Sequence, residues 1–204
     1  MDELIELGSA CVGDGGGSCL SSAIGPAWVG AAVAGPAFTL RCAPGDNLAL
    51  HVATAEAPAG SVLVADATAD PEYGYWGEVL ASAAQARGLT GLVIDGGLRD
   101  VDALQRLGFP AFSERVCHRG AGKVGPGAVG GAVVVGGVEV RTGDLVVGDR
   151  DGVTVVPAMM FDDVVGRARA KAGAEPGIIE QLRAGAVTVD LLGLDTSTVD
   201  RQPG

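Results

Sequence analysis

Aromatic side chains are scarce in this chain, with two Trp, two Tyr and four Phe making up 4% of the sequence. A platform that stacks nucleic-acid bases needs several such faces, so that mode of binding is disfavoured. Positive charge is also short. Fourteen Lys and Arg stand against 25 Asp and Glu, a net charge of −11. A surface for nucleic acid or anionic membrane needs the opposite balance, although a local basic pocket for an acidic metabolite is compatible with it. His51 and His118 are the only histidines and have no zinc-ligand spacing. Cys11, Cys19, Cys42 and Cys117 form no C-x-x-C pair and read as reduced thiols of a cytoplasmic protein. Asp2, Glu3 and Glu6 stand where a signal peptide would be basic. No apolar run reaches membrane-spanning length.

What is present is a globular composition. The 204 residues are 48% hydrophobic and 19% charged, too apolar for disorder. That length predicts a single domain over residues 1–204, with a polar tail from about residue 195. The 34 glycines have no collagen-like period; they fall in turns between short elements.

One stretch organises the rest: G-L-V-I-D-G-G-L-R-D-V-D-A-L-Q-R-L-G-F-P, residues 91–110. Leu92, Val93 and Ile94 read as a buried strand. Gly96 and Gly97 read as the turn that ends it. Val101, Leu104 and Leu107 then recur at helical spacing until Gly108 and Pro110 stop the helix. Arg99 and Asp100 sit between, at the carboxyl end of a strand, where α/β folds bind ligands. A guanidinium offers a fork of donors to a carboxylate or enolate oxygen, and a carboxylate beside it can hold Mg²⁺. The simpler alternative is that Asp100 is only the N-cap of the following helix.

Upstream, Asp46 is expected to cap a helix over Leu48–Ala57 that buries Leu48, Val52 and Ala55. Val62–Ala65 is a strand ending at Asp66. In A-D-P-E-Y-G-Y-W-G-E-V-L-A-S-A-A-Q-A-R-G, residues 69–88, Trp76, Val79, Leu80 and Ala83 share a predicted helical face. Glu78 near that helix start is either a dipole-stabilised surface carboxylate or a cation ligand. Asp66, Glu78, Asp95 and Asp100 all lie near strand ends or helix starts, and converging carboxylates are what a Mg²⁺ or Mn²⁺ site requires.

The flanks are simpler. Leu4, Ile5 and Leu7 predict a short helix, and G-D-G-G-G-S at 13–18 a loop, with no G-K-[ST] to make it a phosphate loop. Ala132–Val135, Val138–Arg141, Leu145–Val147 and Val153–Val156 read as strands separated by Gly and Asp-Gly turns. Phe161–Gly173 reads as an amphipathic helix presenting Val164, Val165 and Ala168, interrupted at Pro176, with a last helix to Gly185.

The order of three motifs carries a resemblance. G-Y-W-G-E-V-L, then G-L-V-I-D-G-G-L-R-D-V-D-A-L, then G-D-L-V-V-G-D-R-D-G-V-T-V-V-P is similar to the RraA-like family, and P-G-D-N-L-A-L-H at 44–51 also fits. That family includes 4-hydroxy-4-methyl-2-oxoglutarate aldolases and inhibitors of ribonuclease E. The resemblance spans about residue 10 to about residue 194. It implies an α/β sandwich with a mixed β core, assembled as a homotrimer or a dimer of trimers with active sites between subunits. It implies a divalent-metal-dependent lyase acting on a small 2-oxo acid, with oxaloacetate decarboxylation as a side activity. In that frame Arg99 binds pyruvate and Asp100 binds Mg²⁺ or Mn²⁺. Gly77, Glu78, Val79 and Leu80 supply N–H groups to the pyruvate carboxylate, with Glu78 where the family often has Asp. Glu175 corresponds to the glutamate that an adjacent subunit contributes in the aldolases and that the ribonuclease inhibitors tend to lack, and Pro176 after it is unusual. The catalytic residues expected are thus Arg99, Glu78 and Glu175. Lys123 and Lys171, the only lysines, sit in no motif, which disfavours a Schiff-base aldolase. The alternative within the family is a non-catalytic trimer that inhibits a ribonuclease or RNA helicase, its acidic surface imitating RNA.

Overall fold

The computed structural model describes residues 1–200. In chain order its elements are α1 (Asp2–Asp14), β1 (Ser18–Cys19), β2 (Gly25–Pro26), β3 (Val33–Arg41), α2 (Leu48–Glu56), β4 (Val62–Asp66), β5 (Gly74–Trp76), α3 (Glu78–Ala86), β6 (Gly91–Leu98), α4 (Val101–Leu107) and β7 (Ala111–Val116). They continue with β8 (Ala128–Val129), β9 (Ala132–Val135), β10 (Val138–Arg141), β11 (Leu145–Asp149), β12 (Gly152–Val156), α5 (Phe161–Arg183) and α6 (Thr188–Leu191).

Strand β3 is shared by two kinds of sheet. Its first half, Val33–Pro36, pairs antiparallel with β11, and its second half, Ala37–Arg41, pairs parallel with β4. Pro36 sits at the changeover. From β3 the parallel part runs through β4, β6 and β7, and the antiparallel part through β11, β12 and β1. The sheet curls, and the space between its halves is filled by Val33, Val64, Val93 and Phe112 from one side and by Val146, Val153 and Val155 from the other. The β9–β10 hairpin adds Val133, Val135 and Val140. Helices α2, α3 and α4 cover the outer face of the parallel half, over Leu40, Leu63, Leu92 and Ile94. Helices α1 and α5 cover the antiparallel half. Each fully buried Leu or Ile contributes about 1.5–3 kcal/mol. The result is the expected mixed α/β fold.

Several expectations need correction. Gly96 and Gly97 do not end the strand; β6 runs through both to Leu98. They are wanted for space rather than for turning, because a Cβ on Gly97 would overlap the Tyr73 carbonyl and one on Gly96 would crowd Ala67. Helix α2 buries Ala49, Leu50, Ala53 and Thr54, not the expected Leu48, Val52 and Ala55, which are exposed. Ala49 and Ala53 let the helix approach the sheet closely around the buried Leu50, while Leu48 and Val52 face out. Trp76 belongs to β5, and of the predicted α3 face Leu80 is buried while Val79 and Ala83 are exposed. The glycine segment 13–18 is no open loop: α1 continues to Asp14, and a Cβ at Gly15 or Gly17 would collide with the Val164 carbonyl or with Thr154. Finally, α5 runs unbroken through Pro176. Its buried residues end at Ala168, so the last turns make no core contact that a proline kink could disturb.

Candidate functional site

The end of β6 delivers Arg99 and Asp100 to the mouth of a cleft. The Arg99 N–H donates to the Trp76 carbonyl at 2.9 Å, which lays the β5–α3 turn alongside the pair. Asp100 has φ 59 and ψ 36, the only non-glycine residue at positive φ among the described residues. It does occupy the N-cap position of α4, and its carbonyl accepts the Ala103 and Leu104 N–H groups. Its carboxylate, however, makes no cap bond to α4. Asp100 Oδ2 instead accepts the N–H of Glu78, the first residue of α3, at 3.1 Å. The N-cap reading is therefore replaced by a carboxylate that crosses to a neighbouring helix start. Asp is among the few residues that tolerate this left-handed backbone, and such outliers concentrate at functional sites.

Arg99 Nε lies 3.7 Å from Asp100 Oδ2, with the side chains 46% and 41% exposed. An ion pair this open to solvent adds little stability, so the pair is available for a ligand. Gly77 and Gly74 make room for it. A Cβ on Gly77 would overlap Asp100 Oδ2, and one on Gly74 would overlap the Cys117 carbonyl and crowd the Arg99 stem. The first-turn N–H groups of α3 have no intrahelical acceptor and carry the positive end of the helix dipole.

The cleft holds about 150 Å³. Arg99, Asp100, Gly77, Val79 and Leu80 line it, and so do four residues that the sequence reading assigned to no site: Asn47, His51, Trp76 and Lys123. Asn47 Nδ2 donates to the Tyr75 carbonyl at 2.7 Å, which leaves Asn47 Oδ1 buried without a partner. His51 Nε2 and Trp76 Nε1 are likewise buried and unpartnered. Burial, and then the nearby Lys123 charge, hold the His51 imidazole below its ordinary pKa. A signal for part of this set was present in P-G-D-N-L-A-L-H, where Asn47 and His51 are four apart and so fall on one helical face. Beside the cleft, a shallower depression shares Asp100 and is lined by Glu78, Asp102 and Arg106.

The four carboxylates predicted to converge do not form one group. Asp100 Oδ2 meets Glu78 at its backbone N–H, and the two residues line the same shallow depression. Asp66 and Asp95 are register partners on β4 and β6. Asp66 Oδ1 accepts from Thr68, and Asp95 Oδ2 accepts the Gly136 N–H at 2.7 Å. Burial, more than the neighbouring Glu114 and Asp66 charges, raises the Asp95 carboxyl above its ordinary range. Among the described residues no group of three or more His, Cys, Asp or Glu is arranged to hold a metal. Asp100 by itself suits a hard cation of the Mg²⁺ kind, which commonly takes one or two carboxylates and fills its remaining positions with water and substrate oxygens. Glu175 does not line the cleft. It lies on the exposed half of α5, 3.8 Å from Lys171 of the same helix. No helix among the described residues is long and apolar enough to cross a membrane.

Comparison with known proteins identifies the family to which this fold belongs. The RraA-like profile, described as Aldolase/RraA, matches residues 10–155. A protein of Halalkalibacterium halodurans provisionally named 4-hydroxy-4-methyl-2-oxoglutarate aldolase is 38% identical over 165 residues, 80% of this chain and 79% of that protein. Among solved structures, a Streptomyces coelicolor member of the RNase ES inhibitor RraA protein family is 28% identical with a TM-score of 0.73, covering 89% of this chain and 98% of that one. The RNA-processing inhibitor RraA from Thermus thermophilis is 29% identical with a TM-score of 0.64, covering 69% and 85%. The inhibitor-named structures share the fold built here, the aldolase-named protein is its relative in sequence, and the chain belongs to the RraA-like family.

Proposed function

We propose that this protein is a divalent-metal-dependent carbon–carbon lyase. It cleaves 2-oxo acids of the 4-hydroxy-4-methyl-2-oxoglutarate type to pyruvate and decarboxylates oxaloacetate as a side activity. The observation that carries the reading is the Arg99–Asp100 pair, held open to solvent against a turn whose glycine leaves no room for a Cβ. The aldolase-named relative supports it. Asp100, with Glu78 beside it, would hold Mg²⁺ or Mn²⁺. When bound, the cation supplies Lewis acidity toward the carboxylate and keto oxygens of the substrate.

The chain's own groups then have separable tasks. The N–H groups at the start of α3, on Val79 and Leu80, receive the pyruvyl carboxylate. Arg99 donates to the keto oxygen. Water held by Glu78, or by Glu175 of the partner subunit, takes the proton of the C4 hydroxyl. As the C3–C4 bond breaks, its electron pair passes into the enolate of pyruvate, and the C4 oxygen becomes the carbonyl of the second product. Arg99 faces the enolate charge as it develops. A proton returned to C3 gives pyruvate. Oxaloacetate loses CO₂ to the same enolate. The assembly proposed is a homotrimer or dimer of trimers, which would bring Glu175 of the partner subunit to the cleft.

The test is pyruvate release from 4-hydroxy-4-methyl-2-oxoglutarate and from oxaloacetate with Mg²⁺, with Mn²⁺ and with EDTA. Release is expected with metal and lost with EDTA. Arg99→Ala and Asp100→Asn are expected to lower both rates by about 10²–10³, with circular dichroism unchanged. Unaltered rates in either variant would overturn the reading. The second reading, a non-catalytic regulator of a ribonuclease or RNA helicase, is favoured by the inhibitor-named neighbours and the −11 charge. It takes precedence if neither substrate turns over with any metal and the chain instead captures such an enzyme.

A further inference from the structure

We infer that Lys123, together with Asn47, His51 and Trp76, recognises the part of the substrate that leaves, its second carboxylate and its hydroxyl, and so sets selectivity for dicarboxylic 2-oxo acids. The inference rests on the lyase reading for its substrate class but on different residues for its evidence. Among the described residues, every buried side-chain nitrogen or oxygen without a hydrogen-bond partner belongs to a residue lining this one cleft: Asn47 Oδ1, His51 Nε2 and Trp76 Nε1. Asn47 is 7% exposed and Trp76 fully buried. Buried polar atoms in native proteins are nearly always satisfied, so a cluster of exceptions in one cavity marks groups that wait for a ligand or ordered water.

The chemistry of the set is specific. Trp76 Nε1 can only donate, Asn47 Oδ1 can only accept, and neutral His51 can do either at Nε2. Lys123 adds a cation. The donors suit a carboxylate, and the acceptor suits an alcohol proton. A 4-hydroxy-2-oxo dicarboxylate carries both beyond its pyruvyl part, whereas pyruvate carries neither. Arg99 and Asp100 engage the pyruvyl end, which leaves these residues for the other.

Lys123 is fixed at the cleft by its own loop. The Asn47 N–H donates to the Gly122 carbonyl at 2.9 Å, and the Gly122 N–H to the Gly45 carbonyl at 2.8 Å. On the other side the Val124 N–H donates to Asp46 Oδ2 at 2.6 Å. Although burial opposes it, the backbone N–H groups of Leu48, Val124 and Gly125 and the Lys123 charge keep the Asp46 carboxyl low, so the anchor stays ionised. The backbone on both sides of Lys123 is therefore tied to the segment that carries Asn47, and α2 then carries His51.

The experiment compares dissociation constants, by calorimetry in Mg²⁺ buffer, of pyruvate and of 2-oxoglutarate, a dicarboxylate without the cleavable hydroxyl-bearing centre. The wild type is expected to prefer 2-oxoglutarate. Lys123→Met should lower the 2-oxoglutarate-to-pyruvate preference about tenfold, the scale of one charge-assisted hydrogen bond, and Lys123→Arg should restore most of it. Lys123 is exposed, so neither change threatens folding. The inference is overturned if the wild type shows no preference, or if Lys123→Met leaves the preference intact. Pyruvate release from 4-hydroxy-4-methyl-2-oxoglutarate is measured in parallel. Selectivity that depends on Lys123 without any release refutes the lyase but not the recognition; release with a selectivity indifferent to Lys123 refutes the recognition alone.

Discussion

Gly77 shows how much of this site is decided by a side chain that is missing. Its backbone is fully extended, a conformation open to any residue, so freedom of φ does not account for the glycine. Space does. A methyl group there would meet Asp100 Oδ2, and Asp100 is already held by a left-handed backbone and a bond to the Glu78 N–H. Gly77→Ala is therefore expected to displace the carboxylate, not to unfold the chain. Metal-dependent pyruvate release should drop by about 10², the apparent metal affinity should weaken, and the far-ultraviolet circular dichroism should stay the same. At this scale the sequence was informative about chemistry and poor about direction. The adjacent Arg99 and Asp100 were visible as a candidate pair, but nothing in the one-dimensional pattern says that a carboxylate at an N-cap position will ignore its own helix. Asn47, His51 and Lys123 were harder still, because they come from a helix start and a distant loop that only the fold brings together.

Among the elements, those punctuated by glycine and aspartate were the most legible. β9 and β10 were placed at their observed bounds, because valine-rich runs bounded by Gly-Gly and Thr-Gly-Asp turns leave little choice. Strands of two or three residues, such as β1, β2 and β5, carry too few side chains to show a period. Helix faces were read by looking for large apolar residues, and α2 packs with Ala49 and Ala53 around one leucine, Leu50. Helix α5 carries the clearest consequence at this scale. Beyond Ala168 it buries nothing, yet it continues past Pro176 with Ile179 exposed and Glu175 beside it. A chain ending at Gly173 is expected to keep its near-ultraviolet circular dichroism, since all three apolar clusters remain, while pyruvate release falls by about 10² or more through loss of Glu175. Retained activity in that shortened chain would mean that Glu175 takes no part.

For the whole molecule, the proposed trimer makes a sharper demand. If the cleft of one subunit borrows Glu175 from another, two inactive proteins can repair one another. Arg99→Ala and Glu175→Gln subunits, each poorly active alone, are expected to regain pyruvate release when co-assembled, because some interfaces then pair an intact Arg99 with an intact Glu175. Rates no better than the average of the two separate variants would place Glu175 outside the neighbouring site. The net charge of −11, which suits a mimic of RNA, is indifferent to this outcome.

The sharing of β3 between two sheets reaches beyond architecture. One nine-residue strand closes both the parallel half, which carries the cleft, and the antiparallel half, which carries α1 and α5. Neither half can release its edge of β3 without stripping the other, so the two cannot melt as separate cooperative units. The β11 partners of β3 lie more than a hundred residues downstream. Closing that distance is an entropic toll on the folding rate, and in a nascent chain the first half of β3 stays without its β11 partner until β11 has been made.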